Sequence, residues 1–166
     1  MSLKIRKIQP QDRPKLEEIL NAQQHFRPAE IQVALELIQV ALNHPDEEEY
    51  IIQCAEKGEG DISGYICYGK APLTDAVYDL YWIVVHPREW NQGTGSSLLR
   101  WAEEDLLRRQ ARVLFIETSS LPAYERPRMF YRKHGFQEQA KFLDYYRVGD
   151  HKIIFVKRFQ PVPESS

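Results

Sequence analysis

The stretch Val84-Val85-His86-Pro87-Arg88-Glu89-Trp90-Asn91-Gln92-Gly93-Thr94-Gly95-Ser96-Ser97-Leu98-Leu99 constrains this chain more than any other. A run of apolar, β-branched residues stops at a proline. A short polar loop with two glycines follows, and an amphipathic helix begins. A strand that passes into a helix through so short a loop reads as the first half of a β-helix-β crossover. The same arrangement aims several backbone N–H groups, and the positive end of a helix dipole, at one spot. A phosphate-bearing ligand suits that spot.

The rest of the chain places this loop in a mixed fold. Leu3–Ile8 alternates as a strand should, and Asp12 stands as an N-cap before the helical spacing of Leu16, Ile19 and Leu20. Pro28 opens a second helix whose stripe is Ile31, Ala34, Leu35, Ile38, Ala41 and Leu42, ended by Asn43-His44-Pro45. Tyr50–Ala55 and Ile62–Tyr68 read as strands joined by the turn Lys57–Asp61. Val77–Val85 carries apolar or aromatic residues on both faces, which predicts a central strand. The next helix buries Leu98, Leu99, Ala102, Leu106 and Leu107. A strand at Val113–Thr118, a short helix from Pro127 to His134, and strands at Phe136–Tyr146 and His151–Phe159, turning at Gly149-Asp150, complete the chain. The order is β-α-α-β-β-β-α-β-α-β-β, an α/β class with a mixed, α+β-like sheet. With 166 residues, one domain spanning 1–166 is expected.

Composition narrows the function. A net charge of −2 argues against a dedicated nucleic-acid binder. No apolar run reaches the ~20 residues of a membrane span, and the N-terminus has no apolar leader. Cys54 and Cys67 form no CxxC pair and lie in apolar strands, so reduced thiols in a cytoplasmic protein are expected. The five histidines show no HxH or HExxH spacing, so no metal site is expected.

Several ligands compete for the glycine loop. A mononucleotide P-loop needs GxxxxGK[ST], and no lysine follows Gly95. A dinucleotide fingerprint needs GxGxxG, and Leu98 stands where the third glycine belongs. A plain connector, with glycines for tight turning, is the remaining reading.

The run Asp79-Leu80-Tyr81-Trp82-Ile83-Val84-Val85-His86-Pro87, with the loop ending Gly93-Thr94-Gly95-Ser96-Ser97-Leu98-Leu99, resembles the acetyl-CoA-binding motif of the GNAT superfamily of N-acetyltransferases. Phe130-Tyr131-Arg132-Lys133-His134-Gly135-Phe136 is similar to the family's later helix, and the element order matches over nearly the whole chain. Two departures stand out. Trp90 and Asn91 occupy places where the family usually has Gln or Arg and then Gly, and Tyr124 stands where an Asn is common. Asn91 tolerates the backbone angles that Gly would otherwise supply.

The resemblance implies an acyl-CoA N-acyltransferase fold. It also implies acetyl transfer from acetyl-CoA, as co-substrate, to a primary amine of a small molecule or peptide by direct attack in a ternary complex. The backbone of Ile83, Val84 and Val85 would face the thioester and the pantetheine arm, in the manner of a main-chain oxyanion hole. The amides of Trp90, Asn91, Gln92, Gly93, Thr94, Gly95 and Ser96 would face the pyrophosphate. Tyr124 and Lys133 are further candidate contacts with the cofactor. Tyr131 would stabilise the leaving thiolate. Full proton transfer from a phenol (pKa about 10) to a thiolate (about 8.5) is uphill by roughly 2 kcal/mol. A lysine-like acceptor costs roughly 4.6 kcal/mol to deprotonate at pH 7, so a base matters. Asp79 is the candidate and Glu117 its rival. A non-catalytic acyl-CoA-binding module of the same fold is the alternative. His25, Phe26, Arg27, Tyr145 and Tyr146 form a mixed aromatic and basic set for the acceptor, and the sequence leaves room for a homodimer through exposed strands.

Overall fold

The computed structural model describes residues 2–159. Its elements are β1 (Lys4–Lys7), α1 (Arg13–Asn21), α2 (Pro28–Asn43), β2 (Ile51–Glu56), β3 (Ile62–Lys70), β4 (Val77–Val85), α3 (Thr94–Arg108), β5 (Val113–Ser119), α4 (Glu125–Lys133), β6 (Gln137–Arg147) and β7 (Asp150–Arg158). The strands form one hydrogen-bonded order, β1-β2-β3-β4-β5-β7-β6. The expected order of elements therefore holds, and β4 takes the central place. Its pairing with β5 is parallel, from Val77↔Val113 to Leu80↔Ile116. Parallel neighbours need a long connection, and α3 is that connection. The other pairings with a defined register are antiparallel.

The chain divides into two compact units. One holds the chain up to Lys70 together with Tyr81–Asp105; the other holds Ala71–Leu80 together with the chain from Leu106 on. In the first, α1 buries Leu16, Ile19 and Leu20, and α2 buries Ala34, Ile38 and Ala41. They pack with Ile52, Cys54, Tyr65, Cys67 and Val84 of the strands into one apolar cluster. In the second, Leu114, Ile116, Phe136 and Phe155 are buried, and the Tyr131 ring meets Phe136 and Phe155 at centroid distances of 5.9 and 5.8 Å.

Local expectations needed correcting where a tertiary partner intervened. Asp12 makes no side-chain cap on α1. Its buried carboxylate instead accepts from the Gln9 amide at 2.8 Å and from both Nη atoms of Arg6 at 2.8 and 2.9 Å, while Arg6 Nε reaches Glu56 at 3.0 Å. Leu107 is exposed, because it lies half a turn away from Leu98 at 3.6 residues per turn. Asp105 falls on the buried stripe instead, and its carboxylate accepts a 2.6 Å hydrogen bond from the Tyr68 hydroxyl. Helix α4 starts at Glu125, two residues before Pro127, since a proline fits anywhere in a first turn. The last hairpin turns at Val148-Gly149, with Gly149 at φ +86° and Asp150 already in β7. Both cysteines are free and buried; burial pushes the Cys54 thiol up to about 12 and the Cys67 thiol further up.

Candidate active site

The first unit carries the loop. Strand β4 ends at Val85, whose carbonyl accepts from Trp90 Nε1 at 2.9 Å and from Gln23 Nε2 at 3.0 Å. Pro87–Glu89 then forms one turn of 3-10 helix, capped by His86 Nδ1, which accepts from the Arg88 amide at 3.1 Å. The Trp90 amide is occupied by the Pro87 carbonyl at 3.2 Å, so this amide, expected among the phosphate donors, is engaged inside the loop. Asn91 and Gly93 have φ of +64° and +81°. That is the left-handed region in which Asn and Gly are tolerated, so Asn91 takes the conformation expected of it.

Helix α3 begins at Thr94, and the Ser97 amide bonds the Gly93 carbonyl at 3.0 Å. The amides at the head of the helix lack intrahelical acceptors by construction. Thr94 itself is buried. Gln92 and Gly93 are exposed, and a Cβ built on Gly93 meets nothing within 4 Å. An anion can therefore approach this main chain closely. The geometry fits a phosphate group.

Ile83 and Val85 are half-buried, and Val84 is buried in the core. Gly64 of β3 lies against them: a Cβ there would stand 2.7 Å from the Val84 carbonyl oxygen and 3.1 Å from Val85 Cα. The backbone of β4 is thus held at a fixed height by a residue with no side chain.

The second unit carries the titratable groups. Asp79 is half-buried and in register with Phe115, which puts it on the face of β5 that also bears Glu117. Among the described residues no hydrogen bond or ion pair reaches the Asp79 carboxylate. Burial and the Glu117 charge hold its carboxyl above the usual range, against the opposing pull of Lys152. Glu117 is exposed; Lys152 Nζ lies 3.0 Å from its Oε1 and 4.4 Å from the centre of the Tyr145 ring.

Tyr131 is buried, and its ring packs on Phe155, whose side chain faces away from the side of β7 that bears Lys152. Tyr131 and the Asp79–Glu117 pair thus belong to opposite faces of the β4-β5-β7 pairings. The sealed, unpartnered side-chain oxygen among the described residues is that of Tyr65. No hydrogen bond of the Tyr131 hydroxyl is found among the described residues. Burial pushes its phenol above the ordinary value. Tyr124 ends the 3-10 turn Pro122–Tyr124 and is half-buried, and Lys133 is exposed at the end of α4. No group of His, Cys, Asp or Glu among the described residues is placed to hold a metal ion.

The sequence model of the acetyltransferase (GNAT) domain matches residues 47–138, more than half of the chain. A solved structure described as an acetyltransferase of the GNAT family from Desulfovibrio desulfuricans is 35% identical, covers 95% of this chain and 99% of its own, and superposes with a TM-score of 0.90. This chain belongs to the GNAT acetyltransferase family.

The fold recurs in more distant GNAT structures. The ribosomal-protein-S18-alanine N-acetyltransferase of Escherichia coli is 18% identical over 99% of both chains, with a TM-score of 0.76. The PaiA N-acetyltransferase of Thermoplasma acidophilum, solved in complex with coenzyme A, is 17% identical over 96% of this chain and 100% of its own, with a TM-score of 0.75. No curated protein sequence matches the chain.

Within this GNAT chain the residues considered for the acceptor fall in both units. His25, Phe26 and Arg27 precede α2. Phe26 meets Trp82 edge-on at 5.4 Å, burial pushes the His25 imidazole below its ordinary value, and Arg27 pairs with Glu30 at 3.1 Å. Tyr145 and Tyr146 are exposed on β6. Three contacts were not visible in the sequence: Gln23 on Val85, Lys152 between Glu117 and Tyr145, and Lys57 on the glycine loop. Each joins residues 32 to 62 positions apart or depends on such a pairing, and no local pattern reports it. No helix among the described residues is long and apolar enough to cross a membrane.

Proposed function

We propose that this GNAT-family chain transfers the acetyl group of acetyl-CoA to a primary amine of a small molecule or peptide. Attack is direct, in a ternary complex, and residues 1–166 act as one acetyltransferase domain. The observation that carries the reading is Tyr131 itself: a phenol on α4, packed on Phe136 and Phe155, whose hydroxyl makes no hydrogen bond found among the described residues. A module that only bound acyl-CoA would have no need of it.

Acetyl-CoA would supply the activated acyl group, and no metal takes part. The amides from Asn91 to Ser96 bind its pyrophosphate, where the helix dipole adds to the attraction. The backbone of Ile83, Val84 and Val85 orients the thioester and polarises its carbonyl. Tyr124 and Lys133 are assigned supporting contacts with the same molecule.

Asp79 takes the proton from the attacking amine, directly or through water. Its elevated carboxyl pKa makes it a better base than an ordinary aspartate. Glu117 is less suited, because Lys152 already holds it. As the new C–N bond forms and the C–S bond breaks, Tyr131 donates a hydrogen bond to the departing sulfur. Its raised pKa keeps it a donor rather than a full acid, so solvent completes the proton transfer.

The acceptor set is His25, Phe26, Arg27, Tyr145 and Tyr146, and it favours an amine with an apolar or acidic portion. The partners are thus acetyl-CoA and an amine, not nucleic acid or a membrane, and a homodimer through exposed strands is compatible with the reading. Two buried, unpaired cysteines support a cytoplasmic location. The test is free-thiol release from acetyl-CoA with a panel of amines, for wild type and Tyr131→Phe. Turnover that falls about tenfold or more in the variant, with CoA binding retained, supports the reading. Tight CoA binding with no turnover on any amine overturns it in favour of the binding module.

A further inference from the structure

The phosphate loop contains one acidic side chain, Glu89, between His86 and Ser97. A carboxylate there opposes the binding of any anion at the head of α3. Glu89 is not left alone. Lys57, the first residue after β2, reaches across to it, and the same Nζ donates to Gln92 Oε1 at 2.8 Å. The Gln92 side-chain Nε2 in turn donates to the Arg88 carbonyl at 3.4 Å. One ammonium therefore ties together the two ends of the segment that holds Trp90 and the left-handed Asn91.

Lys57 is itself well anchored. Its amide bonds the Asp61 carbonyl at 3.0 Å, and the Asp61 amide bonds Gly58 at 2.8 Å, closing the β2–β3 turn. The turn is held further by the Gly60 amide on Glu56 Oε1 at 2.7 Å, and Glu56 is fixed by Arg6. The loop, by contrast, has its Asn91-Gln92-Gly93 segment outside any helix or strand. Asn91 and Gly93, on either side of Gln92, both take positive φ there.

We infer that Lys57 is a positioning residue for the acyl-CoA donor: it neutralises Glu89 and holds Glu89 and Gln92 so that the amides of the Gln92–Ser96 segment stand ready for the pyrophosphate. The inference rests on the donor-site reading above and deepens it. Consistent with this pairing, the hydrogen bond from Lys57 holds the Glu89 carboxyl below the usual range, so Glu89 is ionised at neutral pH and would repel phosphate without its partner. Lys57 acts on the donor through the loop and has no part in the acyl transfer itself.

Two donors separate this role from a general effect on folding. Acetyl-CoA carries the pyrophosphate, and S-acetylpantetheine carries the same thioester without it. For Lys57→Met the dissociation constant of CoA, measured by calorimetry, and the KM for acetyl-CoA should both rise on the order of tenfold, with kcat unchanged. kcat/KM for S-acetylpantetheine should stay at the wild-type value. Adding Glu89→Gln to Lys57→Met should recover most of the lost affinity, because the uncompensated charge is then gone, and Lys57→Arg should behave nearly as wild type. Wild-type CoA affinity in Lys57→Met overturns the inference. So does an equal loss with both donors, or a double variant no better than the single one. If wild-type protein binds no CoA, the donor-site reading fails first, and this inference falls with it.

Discussion

Replacing Gly64 with alanine is the sharpest test of how this fold presents β4. The new methyl would stand 2.7 Å from the Val84 carbonyl oxygen and 3.1 Å from both Val85 Cα and Val85 Cγ2. Carbon atoms reach their best contact at about 3.5–4.0 Å, so these approaches are repulsive. Two of the three neighbours are main-chain atoms of a strand, so no rotamer change relieves them. The β4 backbone must recede by several tenths of an ångström. Overpacking of this kind costs about 1–3 kcal/mol, and 2 kcal/mol lowers the melting temperature of a chain of this size by about 4–8 °C. Catalytic geometry tolerates displacements of only about 0.5 Å, so kcat should fall about tenfold to a hundredfold. The assay pairs a thermal melt followed by circular dichroism with thiol release from acetyl-CoA. Gly60→Ala is the control. Gly60 has φ +76° with no atom near its would-be Cβ, so strain there should lower stability without touching kcat. A Gly64→Ala protein with wild-type melting and wild-type kcat would refute the reasoning. A Gly60→Ala protein with the same loss of kcat would refute the claim that position, rather than lost stability, is responsible.

Arg6→Met removes the partner of the buried Asp12 carboxylate and should destabilise the protein by about 3–5 kcal/mol in urea melts. Arg6 also depresses the Glu56 pKa, so that pair contributes stability above the unfolded Glu pKa and loses it as pH falls through the lower folded value; stability of Arg6→Met should vary less with pH across that acidic window. Asp79 has the opposite sign. Its folded pKa is raised, so ionising it costs stability as pH rises past the unfolded value, and Asp79→Asn should match or exceed wild type in stability at neutral pH. As the proposed base it must be ionised, so kcat/KM of wild type should rise with pH through that raised pKa, and Asp79→Asn should lose this limb and about 10²–10⁴-fold in rate. The buried thiols of Cys54 and Cys67 should resist iodoacetamide at pH 8 in the native protein and both react after unfolding, read by mass spectrometry.

Much of the fold was legible because its signals are local. The alternation in β4 and the stripes of α1 and α2 needed only a window of a few residues, and each element formed within a residue or two of its expected bounds. The errors have a common form. Asp12 has the right residue type for a cap, but Arg6 and the Gln9 amide claim its carboxylate. Leu107 is apolar yet exposed, and Asp105 is charged yet buried, because helical phase and the Tyr68 hydroxyl outweigh residue type. In the candidate site, the loop residues could be singled out from glycines, a proline and a helix start. The pairing of Lys57 with Glu89, or of Lys152 with Glu117, could not.

The chain by itself determined the order of its elements, the strand-loop-helix unit at Val84–Leu99, and the backbone angles that Asn91 and Gly93 permit. Each of these follows from neighbours in sequence, through side-chain periodicity and the sterics of φ. Tertiary structure alone decided which groups are desolvated, which charges are compensated and how close β3 comes to β4 at Gly64. The raised carboxyl of Asp79, the buried phenol of Tyr131 and the neutralised Glu89 are all of this kind. Desolvation and charge pairing depend on distance in space, and the residues that set those distances here lie tens of positions apart along the chain.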